Sequence, residues 1–297
     1  MSTNTPLRHW HTGEALPVEE KRARNTSTAS DNKIHDDAVA REYGFRGGLV
    51  PGATTYAYVA SYLSRTLGPA WAAGGAATVT LVRPVYQGEA VRIGGEVTES
   101  TGDAAAGSLT AACWADGPDG ARCAPVTATL CWPATPITEE RPVFSTTDQP
   151  PRLPEERGPL TVANAPVGLP LPPVLMPAEA ADLARYLDEI DETDPIFREA
   201  SPFGPPLVHP GWWPSIANRV VSGNFLVGPW IHTHSEIRHL RPALPGGVYR
   251  GYGQIVEAFE KRGHEYATVD VLITDGQDIP VVRMKHTAIV VVARRQS

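Results

Sequence analysis

Cysteine is scarce: Cys113, Cys123 and Cys131 are the only three in 297 residues. The count is odd and no CxxC pair occurs. All three sit among apolar residues, so buried free thiols in a reducing cytoplasm are expected. Long apolar runs are missing too. None reaches the roughly 18 residues that would span a bilayer. The opening stretch, MSTNTPLRHWHTGEALPVEEKRAR, has no apolar core for a signal peptide. A soluble cytoplasmic protein with no membrane partner is the expectation. Basic charge is also in deficit, with 26 Lys and Arg against 33 Asp and Glu and a net charge of -7. No global basic field draws in phosphate backbones, so nucleic acid is not expected as a partner. Charged residues make up 20% and apolar residues 42%. That balance excludes disorder of the whole chain.

Proline and glycine, by contrast, are plentiful, at 29 and 27. Between Pro133 and Pro177 the segments PATPITEERPVF, QPPRLPEERGP and NAPVGLPLPPVLMP follow one another. Such a stretch cannot continue a helix and fits poorly inside a sheet. It divides the chain into residues 1–132, a Pro-rich linker at 133–177 and residues 178–297.

The two flanks resemble each other. FRGGLVPG at 45–52 and FGPPLVHPG at 203–211 place Phe45, Leu49 and Val50 on Phe203, Leu207 and Val208. The same offset carries Arg83-Pro84 and Gly88 onto Arg241-Pro242 and Gly246. Two separate matches at one offset indicate a duplication. Each half runs as a helix and then strands separated by turn residues. The helices are ATTYAYVASYLSRTLG and GWWPSIANRVVSGN. The strands are AATVTLVRPV, AVRIGGEVTES, SLTAACWAD and CAPVTATLCW, then WIHTHSEIRHL, GVYRGYGQIVEAFEKRG, YATVDVLITD and IPVVRMKHTAIVVVAR. A long helix followed by a strand meander means a sheet wrapped around a helix, an α+β class.

Residues 30–52, SDNKIHDDAVAREYGFRGGLVPG, resemble the hydratase motif of MaoC-like double hotdog proteins. The RPxxxG strand and EKRGHEYATVDV are similar to that family as well. The resemblance implies a double hotdog, with two fused units sharing one antiparallel sheet around central helices. It also implies an (R)-specific enoyl-thioester hydratase or 3-hydroxyacyl-thioester dehydratase. The substrate would be an acyl thioester of coenzyme A or an acyl carrier protein, with no cofactor and no metal. Whether the fused pair forms a homodimer is open.

Water addition to an enoyl thioester needs a base for the water, an acid for the α-carbon and donors for the thioester oxygen. The resemblance assigns Asp31 and His35 to proton transfer, with the water between them. The Gly52 N–H, at the start of the central helix, falls to the oxyanion. Asn32, Pro51 and Tyr56 are expected to contact the substrate. The family usually has four residues between Asp and His; here Asn32, Lys33 and Ile34 alone intervene. Asp36 and Asp37 are alternative carboxylates, and helix capping is the competing role for Asp31 and Asp37. Pro51 stands where the family has a histidine. In the second half DETDPIF puts Phe197 at the histidine position, with Glu192 or Asp191 as the carboxylate. That half is expected to have lost catalysis and kept packing. His209, within His209-Pro210-Gly211, is expected to be a satisfied core histidine.

His232 and His234, two apart on WIHTHSEIRHL, are expected on one strand face, with His239 further along. No Cys or acidic residue at ligand spacing completes a zinc site. Trp212, Trp213 and Trp230 are expected to be core or interface aromatics. The competing functions are a hotdog thioesterase, a repurposed lyase or isomerase, and a non-catalytic acyl-binding subunit.

Overall fold

The computed structural model describes residues 10–28, 30–103, 105–133, 150 and 152–293. The first half opens with β1 (Ala15–Arg22), then α1 (Asp37–Glu42), α2 (Gly52–Leu67) and α3 (Pro69–Gly74). Strands β2 (Ala76–Thr80), β3 (Ala90–Gly102), β4 (Gly107–Asp116) and β5 (Arg122–Trp132) follow. The second half comprises β6 (Gly158–Pro159), β7 (Pro170–Pro177), α4 (Ala180–Glu189), α5 (Pro195–Arg198), α6 (Trp213–Asn224), β8 (Phe225–Leu226), β9 (Ile231–His239), β10 (Val248–Lys261), β11 (His264–Thr274) and β12 (Pro280–Val291).

Ten strands form one antiparallel sheet in the order β1-β3-β4-β5-β2-β9-β12-β11-β10-β7. The left five and the right five mirror each other about the β2–β9 seam, where Ala76 pairs with Arg238 and Thr80 with His234. The duplication read in the sequence also appears in single hydrogen bonds. Val50 N–H donates to the Val85 carbonyl at 2.8 Å, and Val208 N–H to that of Ala243 at 2.8 Å. Each half folds its sheet around a helix, α2 or α6, and α2 is buried along most of its length. Small and aromatic residues suit that position, and Tyr56, Ala57, Tyr58, Tyr62 and Leu63 of α2 are all buried. Tyr58 and Tyr62 satisfy their hydroxyls on β1 and the chain just after it, Tyr62 donating to the Pro17 carbonyl and Tyr58 accepting from Arg24 N–H.

Three expectations need correction. The segment 133–177 is not all linker, because Pro170–Pro177 is β7 and pairs with β10 from Pro177↔Val248 to Pro170↔Gln254. Its prolines are tolerated because β7 is the outermost strand, where missing N–H donors cost no ladder bond on the free side. The Pro133–Pro150 part of the segment lies almost wholly outside the described residues. Cys131 is exposed, unlike Cys113 and Cys123. Ala124, Val126, Ala128 and Leu130 of β5 point inward, so the period of two turns Cys131 outward. Finally, His232 and His234 do not share a face. A register shift opposite Thr287 and Ala288 puts a bulge between them. His232 turns into the core, while His234 bonds Thr80 Oγ1 at 2.9 Å on the outer face.

Candidate active site

The segment before α2 is pinned by short-range geometry. Asn32 begins a single 3-10 turn over Lys33–His35, and Asp36 then caps α1 by accepting from Ala38 and Val39 N–H. Asp37 accepts from Gly48 N–H at 2.7 Å. Asp36 and Asp37 are therefore structural here and line no part of the cavity described below. Gly48 passes so close to this turn that a Cβ there would lie 2.2 Å from the His35 carbonyl oxygen. Only glycine fits, and the close pass holds His35 beside the segment that enters α2.

His35 is mostly buried, and each ring nitrogen has one partner. Nδ1 lies 2.7 Å from the Leu49 carbonyl oxygen, which can only accept, so Nδ1 carries the proton. Nε2 is then an acceptor, and Asn32 Nδ2 donates to it at 3.2 Å. Burial pushes the imidazole below its ordinary value, and the bond to Leu49 offsets this only in part. The ring is neutral near pH 7, with its lone pair on Nε2. Asn32 is itself clamped across the two halves. Its Nδ2 donates to the Trp230 carbonyl at 3.0 Å, and its Oδ1 accepts from Trp230 N–H at 3.1 Å.

Helix α2 starts at Pro51, which supplies no side-chain cap. Among the described residues the N–H groups of Gly52, Ala53 and Thr54 have no hydrogen-bond partner, and they sit in the first turn at the positive end of the dipole. Both features face one cavity of about 610 Å³ between the halves. The first half contributes Asp31, Asn32, His35 and Pro51–Thr54, and the second Ser215, Asn218, Trp230 and His232.

The expected residues thus divide. Asp31, His35, Gly52, Asn32 and Pro51 meet at this cavity. Asp31 is exposed and makes no hydrogen bond or ion pair among the described residues; the side chain against His35 is Asn32. Tyr56 does not reach the cavity. One turn beyond Gly52, on a helix enclosed by sheet, it is fully buried in the core with no partner for its hydroxyl among the described residues. Sequence reasoning missed the second-half wall, Ser215 and Asn218, because short polar residues in a helix carry no signal of which cavity they face.

The second half shows what the same turn becomes without a histidine. Asp194 accepts from Ile196 N–H as Asn32 does from Ile34 N–H, so Phe197 takes the place of His35. The Phe197 ring packs edge-on to His209 at 4.5 Å. His209 Nδ1 accepts from Gly211 N–H, and Nε2 lies 3.0 Å from Ser61 Oγ and 3.6 Å from Glu192. Burial pushes the Glu192 carboxyl up, but His209, Ser61 and backbone N–H groups outweigh it and hold the group well below the carboxylate range. Arg65 of α2 completes the cluster at 3.3 Å. These groups fasten the two halves together, and His209 is a satisfied core histidine.

No protein-family model matches the chain, and neither does any curated protein sequence. Solved structures do. A Chloroflexus aurantiacus protein assigned as a MaoC domain dehydratase superposes with a TM-score of 0.72 at 13% identity, covering 100% of this chain and 99% of its own. A Mycobacterium tuberculosis protein described as a double hotdog gives 0.66 at 13% identity, covering 94% and 96%. A Lactobacillus plantarum protein assigned as an oleoyl thioesterase gives 0.52 at 13%, covering 94% and 97%. The chain is built on the double hotdog fold found in MaoC-like dehydratases.

Proposed function

We propose that this protein is a hydro-lyase that adds or removes water across the α,β-bond of an acyl thioester of coenzyme A or an acyl carrier protein. One observation carries the reading: a neutral His35 and the unpaired N–H groups of α2 line the same cavity. In the hydration direction, water takes the place of the Asn32 contact at His35 Nε2. Nε2 accepts a proton as the water oxygen bonds to the β-carbon. The alkene electron pair moves onto the thioester oxygen, where Gly52 and Ala53 N–H receive the developing charge. The imidazolium, steadied by the Leu49 carbonyl, returns the proton to the α-carbon. Asp31, on the same wall, shares the water. Dehydration is the reverse.

The test is turnover of enoyl and 3-hydroxyacyl thioesters, followed at the absorbance of the conjugated thioester. His35→Ala should lose roughly 10²–10⁴-fold in kcat with an unchanged fold. Asp31→Asn should fall by a comparable factor if it carries a proton, and full activity would leave it a wall residue. No turnover of any thioester by folded parent protein would sink the proposal, and release of free thiol without hydration would favour a thioesterase.

A further inference from the structure

Helix α6 turns an unusual face to the cavity. Ile216, Ala217 and Val220 pack into the core, while Ser215, Asn218 and Ser222, spaced i, i+3 and i+7, line the cavity. Ser215 spends its hydroxyl on the Trp212 carbonyl. Asn218 is held from behind by a buried chain of side chains. His232 Nε2 lies 2.8 Å from Ser235 Oγ, Ser235 Oγ lies 2.9 Å from His286 Nδ1, and His286 Nε2 lies 3.1 Å from Asn218 Oδ1.

The direction of that chain follows from its far end. His232 Nδ1 is buried with no hydrogen-bond partner among the described residues, and it lies 2.9 Å from where a Cβ on Gly52 would be. That is the positive end of α2, where a lone pair is favoured and an N–H is not. His232 therefore carries its proton on Nε2 and donates to Ser235. Ser235 donates to His286 Nδ1, and His286 Nε2–H donates to Asn218 Oδ1. Burial keeps both rings neutral, pushing His286 down to about 3 and His232 well below the usual histidine range. With Oδ1 turned inward, the amide must present Nδ2 to the cavity, where no described residue accepts from it.

Position within the cavity indicates what meets this donor. Glu189 and Leu226 are exposed and mark the mouth, whereas Asn218 rests on fully buried His286 and belongs to the floor. A thioester enters carrier last, so its acyl group reaches the floor. Building on the hydro-lyase reading, we infer that Asn218 Nδ2 selects acyl groups bearing an oxygen acceptor beyond the reacting double bond, in preference to plain alkyl chains.

Paired 2-enoyl-CoA substrates of equal chain length, one with a keto oxygen beyond the double bond, test this in the full chain. Parent protein should prefer the keto substrate by about 10–100-fold in kcat/KM, the range expected when a buried donor is left unpaired by the plain analogue. Asn218→Asp keeps the shape and the His286 contact but loses the outward donor. It should remove most of the preference, with the keto substrate losing more than its plain analogue. Ser235→Ala, checked for fold by circular dichroism, should erode the preference because Asn218 is no longer oriented. Equal losses on both substrates, or a loss seen with CoA but absent with N-acetylcysteamine thioesters, would place Asn218 on the fold or the pantetheine arm and overturn the assignment. A folded Ser235→Ala protein with full preference would also overturn it. Calorimetry with the saturated, unreactive pair separates the two proposals. Preferential keto binding without turnover of any thioester would refute the hydro-lyase and keep Asn218, while equal binding and equal turnover would refute Asn218 alone.

Discussion

Replacing Asn32 by Asp would put a carboxylate against the imidazole that the parent keeps neutral. In the parent, Asn32 Nδ2 donates to His35 Nε2 at 3.2 Å, a bond that only the uncharged ring can accept. In the variant the facing atom is an acceptor, so Nε2 gains by holding a proton. A carboxylate and an imidazolium at 3.2 Å attract by about 5 kcal/mol at an effective dielectric near ~20. Desolvation takes back much of this, and such pairs ordinarily shift by about 1–3 pKa units. The His35 midpoint, held below 6.5 by burial, should therefore rise. The sign carries through to function. Parent hydration should persist as pH falls through 6.5 and fail only further into acid, whereas the variant should need a higher pH to free its base. Stability moves oppositely: protonation favours unfolding in the parent below pH 6.5 and does so less in the variant. A separate cost of about 1–3 kcal/mol comes from facing a carboxylate to the Trp230 carbonyl, which loses its donor. NMR titration of the His35 ring, assigned with His35→Gln, reads the midpoint without requiring turnover. A folded variant whose midpoint is unchanged or lower would refute the hydrogen-bond assignment at this site.

Phe197→Ala should cost about 3–5 kcal/mol in chemical denaturation by removing a buried ring from His209, while the folded fraction keeps its kcat. Glu192→Gln leaves Arg65 short of a fully buried counter-charge and should destabilise by about 3 kcal/mol. Because the native Glu192 pKa is depressed, its contribution in the parent is complete above about pH 4.5 and shrinks as pH falls below that. Urea midpoints for parent and variant should converge in acid. Gly52→Ala would push a methyl to 2.4 Å from Leu81 Cδ1 and 2.9 Å from His232 Nδ1, so about 1–3 kcal/mol of stability should go together with turnover. A variant with parental melting temperature and rate would mean that the start of α2 is looser than its packing implies.

Much of this protein is decided locally. Period-two and helical patterns, turn residues and the FRGGLVPG and RPxxxG matches set the strands, the central helices and the duplication. Those features depend on neighbours in the chain. The same is true of Asn32, Asp36 and Gly48, whose caps and close pass shape the turn that presents His35. Other outcomes were decided only when distant segments met. Pro170–Pro177 becomes a strand because β10 offers it an edge on which missing donors do no harm. His232 and His234 part because a bulge against β12 inserts one extra residue between partners, a matter of register that their own spacing cannot reveal. Tyr56, close to Gly52 in sequence, is removed from the site by the rotation of a helix that turns this residue into the core. The partner of His35 is Asn32 rather than Asp31 because the Trp230 backbone, 198 residues away, offers that amide both a donor and an acceptor. Sequence determines which side chains exist and how their own turn holds them. Burial, pairing across the seam and the direction of a hydrogen bond depend on what the rest of the chain brings alongside.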